Sequence, residues 1–185
     1  KGVRMRLRAS HMLSWGLITL TVATFLTMGV YLAAMERGEQ TPETAAKATI
    51  VPLIVLQGVV LMLLGTGAVA SGVSQERDKA LLDYQRMSPM RPSEKIIGYL
   101  FGLPAREYFL FALTLPFVVW ATFRSGMPAL KMLHFYAVFM LSVWLYHMTA
   151  MAIGMTSTKP RLTMVLTQGT VIVLYLVLPN LTQLG

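Results

Sequence analysis

The chain has 185 residues, 55% of them hydrophobic and 13% charged, with a formal net charge of +8 and a mean hydropathy of +0.60. Average soluble domains carry about 25% charged residues, so the polar surface that a water-soluble globule of this size needs is missing. A soluble enzyme, a disordered tail and a nucleic-acid module are excluded, and the composition specifies an integral membrane protein.

Taken in chain order, the elements begin with a basic lead containing Lys1, Arg4, Arg6 and Arg8. A spanning helix needs about 20 mostly apolar residues, and that length finds five candidate spans. They run from about Met12 to Ala34, Ile50 to Ser74, within Ile96 to Phe123, Met132 to Gly154, and Leu162 to Leu181. The runs are too long and too uniformly apolar for barrel strands, which alternate in polarity over about ten residues. The expected fold is therefore all-α: a polytopic membrane helix bundle of about five transmembrane helices, forming a single transmembrane domain over residues 1–185. The first apolar run is too long for a cleavable signal peptide and no small-residue cleavage site follows it. A chain opening on Lys1 and not Met is expected to be part of a longer one. Cysteine is absent, which removes disulfides, thiol nucleophiles and Cys-ligated metals.

The loops set an orientation. Lys1, Arg4, Arg6, Arg8, Arg77, Lys79, Arg86, Arg91, Lys95, Lys159 and Arg161 fall on one side of the expected membrane. Arg37, Lys47, Arg124 and Lys131 fall on the other. Basic residues concentrate in cytoplasmic loops, so the N-terminus and the loop between spans two and three are expected in the cytoplasm of a bacterial inner membrane. Trp15 and Tyr31 suit opposite ends of the first span, and Trp120 the outer end of the third.

Small residues mark where helices can approach closely. Gly58, Gly65 and Gly72 recur every seven residues in the second span, beside Gly67-x-x-x-Ser71 and Ala68-x-x-x-Gly72; Gly98-x-x-x-Gly102 opens the third. These are expected at helix–helix or subunit interfaces, against the plainer explanation that glycine is common in membrane helices. Met148, Met151 and Met155 share a face of the fourth span, where gap-filling packing is favoured over a substrate-contacting wall.

The segment Gln75–Lys95 is unlike its surroundings. Nine of the chain's 24 charged residues fall in it, with Pro89 and Pro92. Ala80, Leu81, Tyr84 and Met87 follow helical spacing, which predicts a short amphipathic helix ended by Ser88-Pro89, since the residue before proline resists the helical conformation. Pro92 suits the first turn of a new helix, with Glu94 favourable near its N-terminus.

Here the sequence resembles a known family. Glu76-Arg77 at a span's end, the pair Leu81-Leu82, then Ser88-Pro89, and Gly98 opening the next span are similar to the membrane subunit of type-2 ABC exporters. The resemblance implies a cytoplasmic coupling-like helix within residues 75–95 that rests on a separate ATPase subunit and follows its closure. Glu76, Arg77, Leu81, Leu82, Tyr84, Arg86 and Pro89 would form the docking surface. It also implies a homo- or heterodimer formed through the membrane domain. The chain differs from the family in having Lys79-Ala80 for Gly-Thr, Gly98-Tyr99 for Gly-Lys, and five expected spans for six. No G-x-x-x-x-G-K-[ST] loop occurs, so no phosphate cradle is proposed in this chain and it is not expected to be an enzyme. The expected activity is that of a permease for an unspecified substrate, without a cofactor, a metal or nucleic acid. The alternative is a structural subunit of a larger respiratory or photosynthetic membrane complex without transport activity.

Polar residues inside the spans complete the candidates. Arg106 and Glu107 lie about 15 Å beyond Ile96 along a continuous helix, where each charge costs roughly 2.5–3.5 kcal/mol. Pro104 offers a resolution: a broken segment whose true span starts near Arg106, with the pair at the cytoplasmic mouth. The other resolution is a pair facing a polar interior and lining a path. His134 and His147 are separated by about 140° around one helix, so they do not form a shared haem face. Gln57 and Gln168 are expected to make interhelical hydrogen bonds.

Overall fold

The computed structural model describes residues 9–36, 41–78 and 91–156, with the single positions 165 and 169. All elements among these residues are helical. They are α1 (Ala9–Glu36), α2 (Pro42–Gly58), the π-helical segment π1 (Val59–Gly65), α3 (Thr66–Asp78), α4 (Pro92–Ile97), a second π segment π2 (Gly98–Gly102), α5 (Ala105–Arg124) and α6 (Ala129–Thr156). Three stretches are long and apolar enough to cross a membrane: Ser10–Glu36, Pro42–Asp78 and Ala129–Thr156. A fourth is obtained if Ser93–Gly102 and Ala105–Arg124, bent by 55° at the break between them, count as one span. The protein is thus an all-helical, membrane-embedded protein. The expected fifth span, from Leu162 to Leu181, lies outside the described residues, as does the amphipathic helix expected over Ala80–Met87.

Large apolar side chains face outward, with Phe25 76%, Phe123 75% and Leu145 67% exposed. In water such faces would drive aggregation; in a bilayer they are the surface that lipid covers.

The second span is longer than its apolar run. It begins at Pro42, not near Ile50, because Thr41 caps the helix: its Oγ1 accepts from the Thr44 amide at 3.4 Å, Pro42 occupies the first helical position, and Glu43 sits in the first turn. It continues through Gly58 without an end and shifts to i→i+5 bonding over Val59–Gly65 before returning to α-helix through Asp78. Gly58, Gly65 and Gly72 therefore do not form the single stripe that an uninterrupted α-helix would give, because the π turn uses more residues per turn.

The third segment is interrupted where Pro104 stands. α4 starts with the Arg91 amide donating to Glu94 Oε2 at 3.0 Å, with Pro92 in its first turn. The helix passes through π2, turns at residues 103 and 104, and restarts as α5. α5 ends in a Schellman turn: Gly126 has φ +65°, the Met127 amide donates to the Thr122 carbonyl, and the Gly126 amide donates to the Phe123 carbonyl. Glycine is required there because other residues avoid positive φ. Pro128 then opens α6, its carbonyl accepting from the Lys131 amide at 3.0 Å.

The contacts divide into two compact units. One comprises Lys1–Val60 and Arg106–Leu141, the other Leu61–Ala105 and Ser142–Gly185. In the first, Ala23, Leu53 and Val118 form a buried cluster with Leu56, Phe117, Met132 and Tyr136 against it. Gly16 lies under Leu113 and Phe109, and Tyr31 meets Trp120 edge-on at 5.6 Å, so α1 and α5 run parallel. In the second, Val69, Ala70, Val73, Tyr99 and Ala150 cluster with Leu103 and Met151.

Small residues do their packing at particular places. Gly72 lies under Leu103, whose Cδ2 would be 2.7 Å from an added Cβ. Gly58, Gly98 and Gly102 have nothing within 4 Å of an added Cβ. The tightest approach to backbone is at Gly154, where a Cβ would fall 2.8 Å from the Ala70 carbonyl oxygen and 3.0 Å from Val73 Cβ. Ala150-x-x-x-Gly154 is the sequence signal for it. A carbonyl oxygen fixed in a helix cannot rotate away as a side chain can. Gly154→Ala is therefore expected to destabilise the protein by about 1–3 kcal/mol. Gly29→Ala, in open space on α1, should be neutral or slightly stabilising. Thermal unfolding of both variants in the same detergent checks the contrast.

Candidate functional site

Polar groups within the spans are held in one of two ways. Most hydroxyls bond back to their own helix. Thr27 Oγ1 donates to the Ala23 carbonyl at 2.7 Å, Thr49 to Ala46 at 2.7 Å, and Thr122 to Val118 at 2.8 Å. Such bonds remove the hydroxyl's demand for water without help from another helix. Larger side chains bond to other side chains, on a neighbouring helix or beside them on their own.

Gln57 is the first of these. It is fully buried and its Nε2 donates to Thr114 Oγ1 on α5 at 2.9 Å. Its Oε1 accepts from the Tyr136 hydroxyl on α6 at 2.6 Å. Thr114 in turn donates to the Phe111 carbonyl at 2.7 Å. One carboxamide thus joins three helices of the first unit. Phe111, Phe135 and Phe139 pack around Tyr136 with ring centroids 5.6–6.1 Å from its own. The sequence singles out Gln57 but not Thr114 or Tyr136, whose spacing to it becomes visible only when the helices are assembled. Gln168 lies outside the described residues.

The charged pair is the second. Arg106 and Glu107 stand in the first turn of α5, just after the Pro104 break. Arg106 Nε donates to Glu107 Oε1 at 3.1 Å and a terminal guanidinium nitrogen makes a second, shorter bond to the same oxygen. The guanidinium carbon lies 5.2 Å from the centre of the Trp15 ring on α1, a cation–π contact. Arg106 is 14% exposed and Glu107 not at all. Glu107 Oε2 has no hydrogen-bond partner among the described residues. The acidic residue in the first turn complements the helix dipole, and the cation beside it balances its charge.

A third cluster lies at the far end of α3. The Tyr99 hydroxyl donates to Glu76 Oε2 at 2.6 Å. Arg77 is partly buried and its Nη1 lacks a partner among the described residues. Of the other residues proposed for docking, Leu81, Leu82, Tyr84, Arg86 and Pro89 lie outside the described residues.

The histidines are separated as helical spacing requires. His134 is exposed, whereas His147 is fully buried and its Nε2 lies 3.1 Å from the Leu61 carbonyl oxygen. No group of three or more His, Asp or Glu side chains among the described residues is placed to hold a metal ion. On the methionine face Met151 packs into the second unit's core, while Met148 and Met155 are 40% and 43% exposed.

No protein-family model, no curated protein and no solved structure matches the chain.

The ion pair makes a direct prediction. Removing one member of a buried pair leaves an uncompensated charge and costs about 3–5 kcal/mol, whereas removing both costs far less. Arg106→Leu is expected to insert into membranes almost as the parent does but to unfold at markedly lower temperature. Adding Glu107→Gln should restore much of the loss. Equal melting temperatures for parent and Arg106→Leu would show that the pair contributes nothing.

Proposed function

We propose that this chain is the permease subunit of an ATP-driven exporter of the ABC type, in a bacterial inner membrane with its N-terminus in the cytoplasm. ATP would be hydrolysed by a separate subunit docked on the segment between the second and third spans. The resemblance at Glu76-Arg77, Leu81-Leu82, Ser88-Pro89 and Gly98 motivates the reading.

The observation that carries it is the Glu76–Tyr99 hydrogen bond. Glu76 precedes the charge-dense segment and Tyr99 follows it, so its two flanks are tied together at its base. α3 also remains helical as far as Asp78, past the end of the apolar run at Ser74. A connector between two spans needs neither feature. A segment that receives force from a soluble partner needs both, because a loose base would absorb the movement. Arg106, Glu107 and Trp15 would then belong to the cytoplasmic mouth of the permease, since Trp15 stands near the start of α1.

The test is co-purification of the tagged chain with candidate ATPase subunits. Leu81→Ala combined with Tyr84→Ala is expected to lose most of the associated ATPase while the permease remains folded in the membrane. Undiminished association would refute the docking surface.

A further inference from the structure

We propose that Glu107 is a proton-binding site: its Oε2 takes up a proton and, in doing so, releases Arg106. The chain has eight Asp and Glu residues, and among the described ones Glu107 is the acidic side chain that is fully buried. Glu36, Glu43, Glu76, Asp78 and Glu94 lie within a few residues of a helix end and are partly or fully exposed. A carboxyl enclosed among membrane helices is rare and costly, and carrying protons is one of the uses that retain such groups.

The bonding is one-sided. A carboxylate spreads its charge over two oxygens, both of them acceptors. A guanidinium can grip both in a fork, but Arg106 spends its two bonds on Oε1 alone. Oε2 is left without a donor among the described residues, so part of the negative charge sits on a buried, unmatched oxygen. A proton is the ligand that suits this atom. It forms an O–H bond at Oε2, turning carboxylate and hydronium into carboxyl and water, and it needs no cavity. A larger cation would need one, and the Glu107 side chain has no exposed surface. The neutral hydroxyl costs far less to keep there than an ionised oxygen does.

Arg106 supplies the route and the consequence. It is 14% exposed and bonded to Glu107, so it connects the carboxyl with the surface, and movement of its flexible side chain admits the proton. Once Glu107 is neutral, the guanidinium has lost the charge that held it. What remains is the Trp15 ring, 5.2 Å away on α1 in the same unit, and Arg106 is free to turn outward. The titratable or charged groups around the pair, among the described residues, are Arg106 itself and His11, whose ring lies 6.4 Å from that of Trp15. α1 otherwise presents Gly16 to Phe109 and Leu113 here, none of them charged. Thr114, the next buried polar group along α5, is about 10 Å further on, beyond direct transfer. The assignment is therefore a proton site and not a wire, and it does not depend on the exporter reading.

Infrared difference spectra, acid minus alkaline, of the whole chain in lipid vesicles read the proton directly, because a protonated carboxyl has a carbonyl stretch that a carboxylate lacks. The parent should gain a band at the frequency of a carboxyl in dry surroundings, and Glu107→Gln should lose that band. Trp15 reports the release of Arg106. With Trp120 and Trp144 replaced by Phe it is the remaining tryptophan. Its fluorescence should then change over the same pH interval as the band, and stay constant once Glu107→Gln is added. His11→Asn should leave both signals in place. The proposal is overturned if the parent's difference spectrum contains nothing that Glu107→Gln removes. It is also overturned if the Trp15 response survives Glu107→Gln; loss of that response in His11→Asn would then place the proton on His11. Should Glu107→Gln fail to accumulate, Arg106→Leu combined with Glu107→Gln, which leaves no buried charge in the pair, supplies the same infrared comparison.

Discussion

The first unit depends on one buried carboxamide. Inside a bilayer no solvent competes for hydrogen bonds, so a polar side chain must find its partners within the protein. Gln57 finds two, Thr114 and Tyr136, on two other helices. Hydrophobic association cannot do this, because lipid tails are as apolar as leucine. Bonds that cross between helices, together with close packing at Gly16, are what select one arrangement of α1, α2, α5 and α6 from many equally greasy ones.

The same constraint explains where order is left incomplete. Among the described residues, two fully buried side-chain oxygens without partners, Thr66 Oγ1 and Glu107 Oε2, each lie just beyond an interruption of regular helix. Thr66 follows π1, and Glu107 follows the break at Pro104. Regular helix settles its own polar groups, and its interruptions are where side chains add bonds. His147 Nε2 meets the Leu61 carbonyl within π1, and Arg106 bonds one of the two carboxylate oxygens of Glu107. The unusual chemistry of these spans is concentrated where the backbone departs from α-helix.

Much of the fold was legible because the dominant forces act on local sequence. Apolar length marked three long spans, Pro104 marked the break, and Pro92 with Glu94 marked the start of α4. Gln57 stood out as a polar side chain that required a partner. The π segments were not legible, since Val59–Gly65 is as apolar as its neighbours and bonding register leaves no trace in hydropathy. That blindness also made Gly58, Gly65 and Gly72 read as one stripe, although Gly72 packs under Leu103 and Gly58 faces open space. The extension of the second span to Pro42 was hidden because its cap, Thr41-Pro42-Glu43, lies in a polar stretch. Partners such as Trp15 for Arg106 and Tyr99 for Glu76 depend on tertiary placement that spacing does not encode. Glu76 and Arg77 were singled out for a resemblance; the bond that ties Glu76 down came from the fold.

The central claim is that interhelical hydrogen bonding at Gln57 holds the first unit together, and a double-mutant cycle tests it directly. The quantity to measure is the unfolding free energy of the parent, Gln57→Leu, Tyr136→Phe and the double variant in lipid bicelles. Coupling between the two positions of about 0.6–1.7 kcal/mol, the range of strong interhelical hydrogen bonds in membranes, is the result expected. Strictly additive losses would contradict it, showing that packing alone sets the arrangement of these helices.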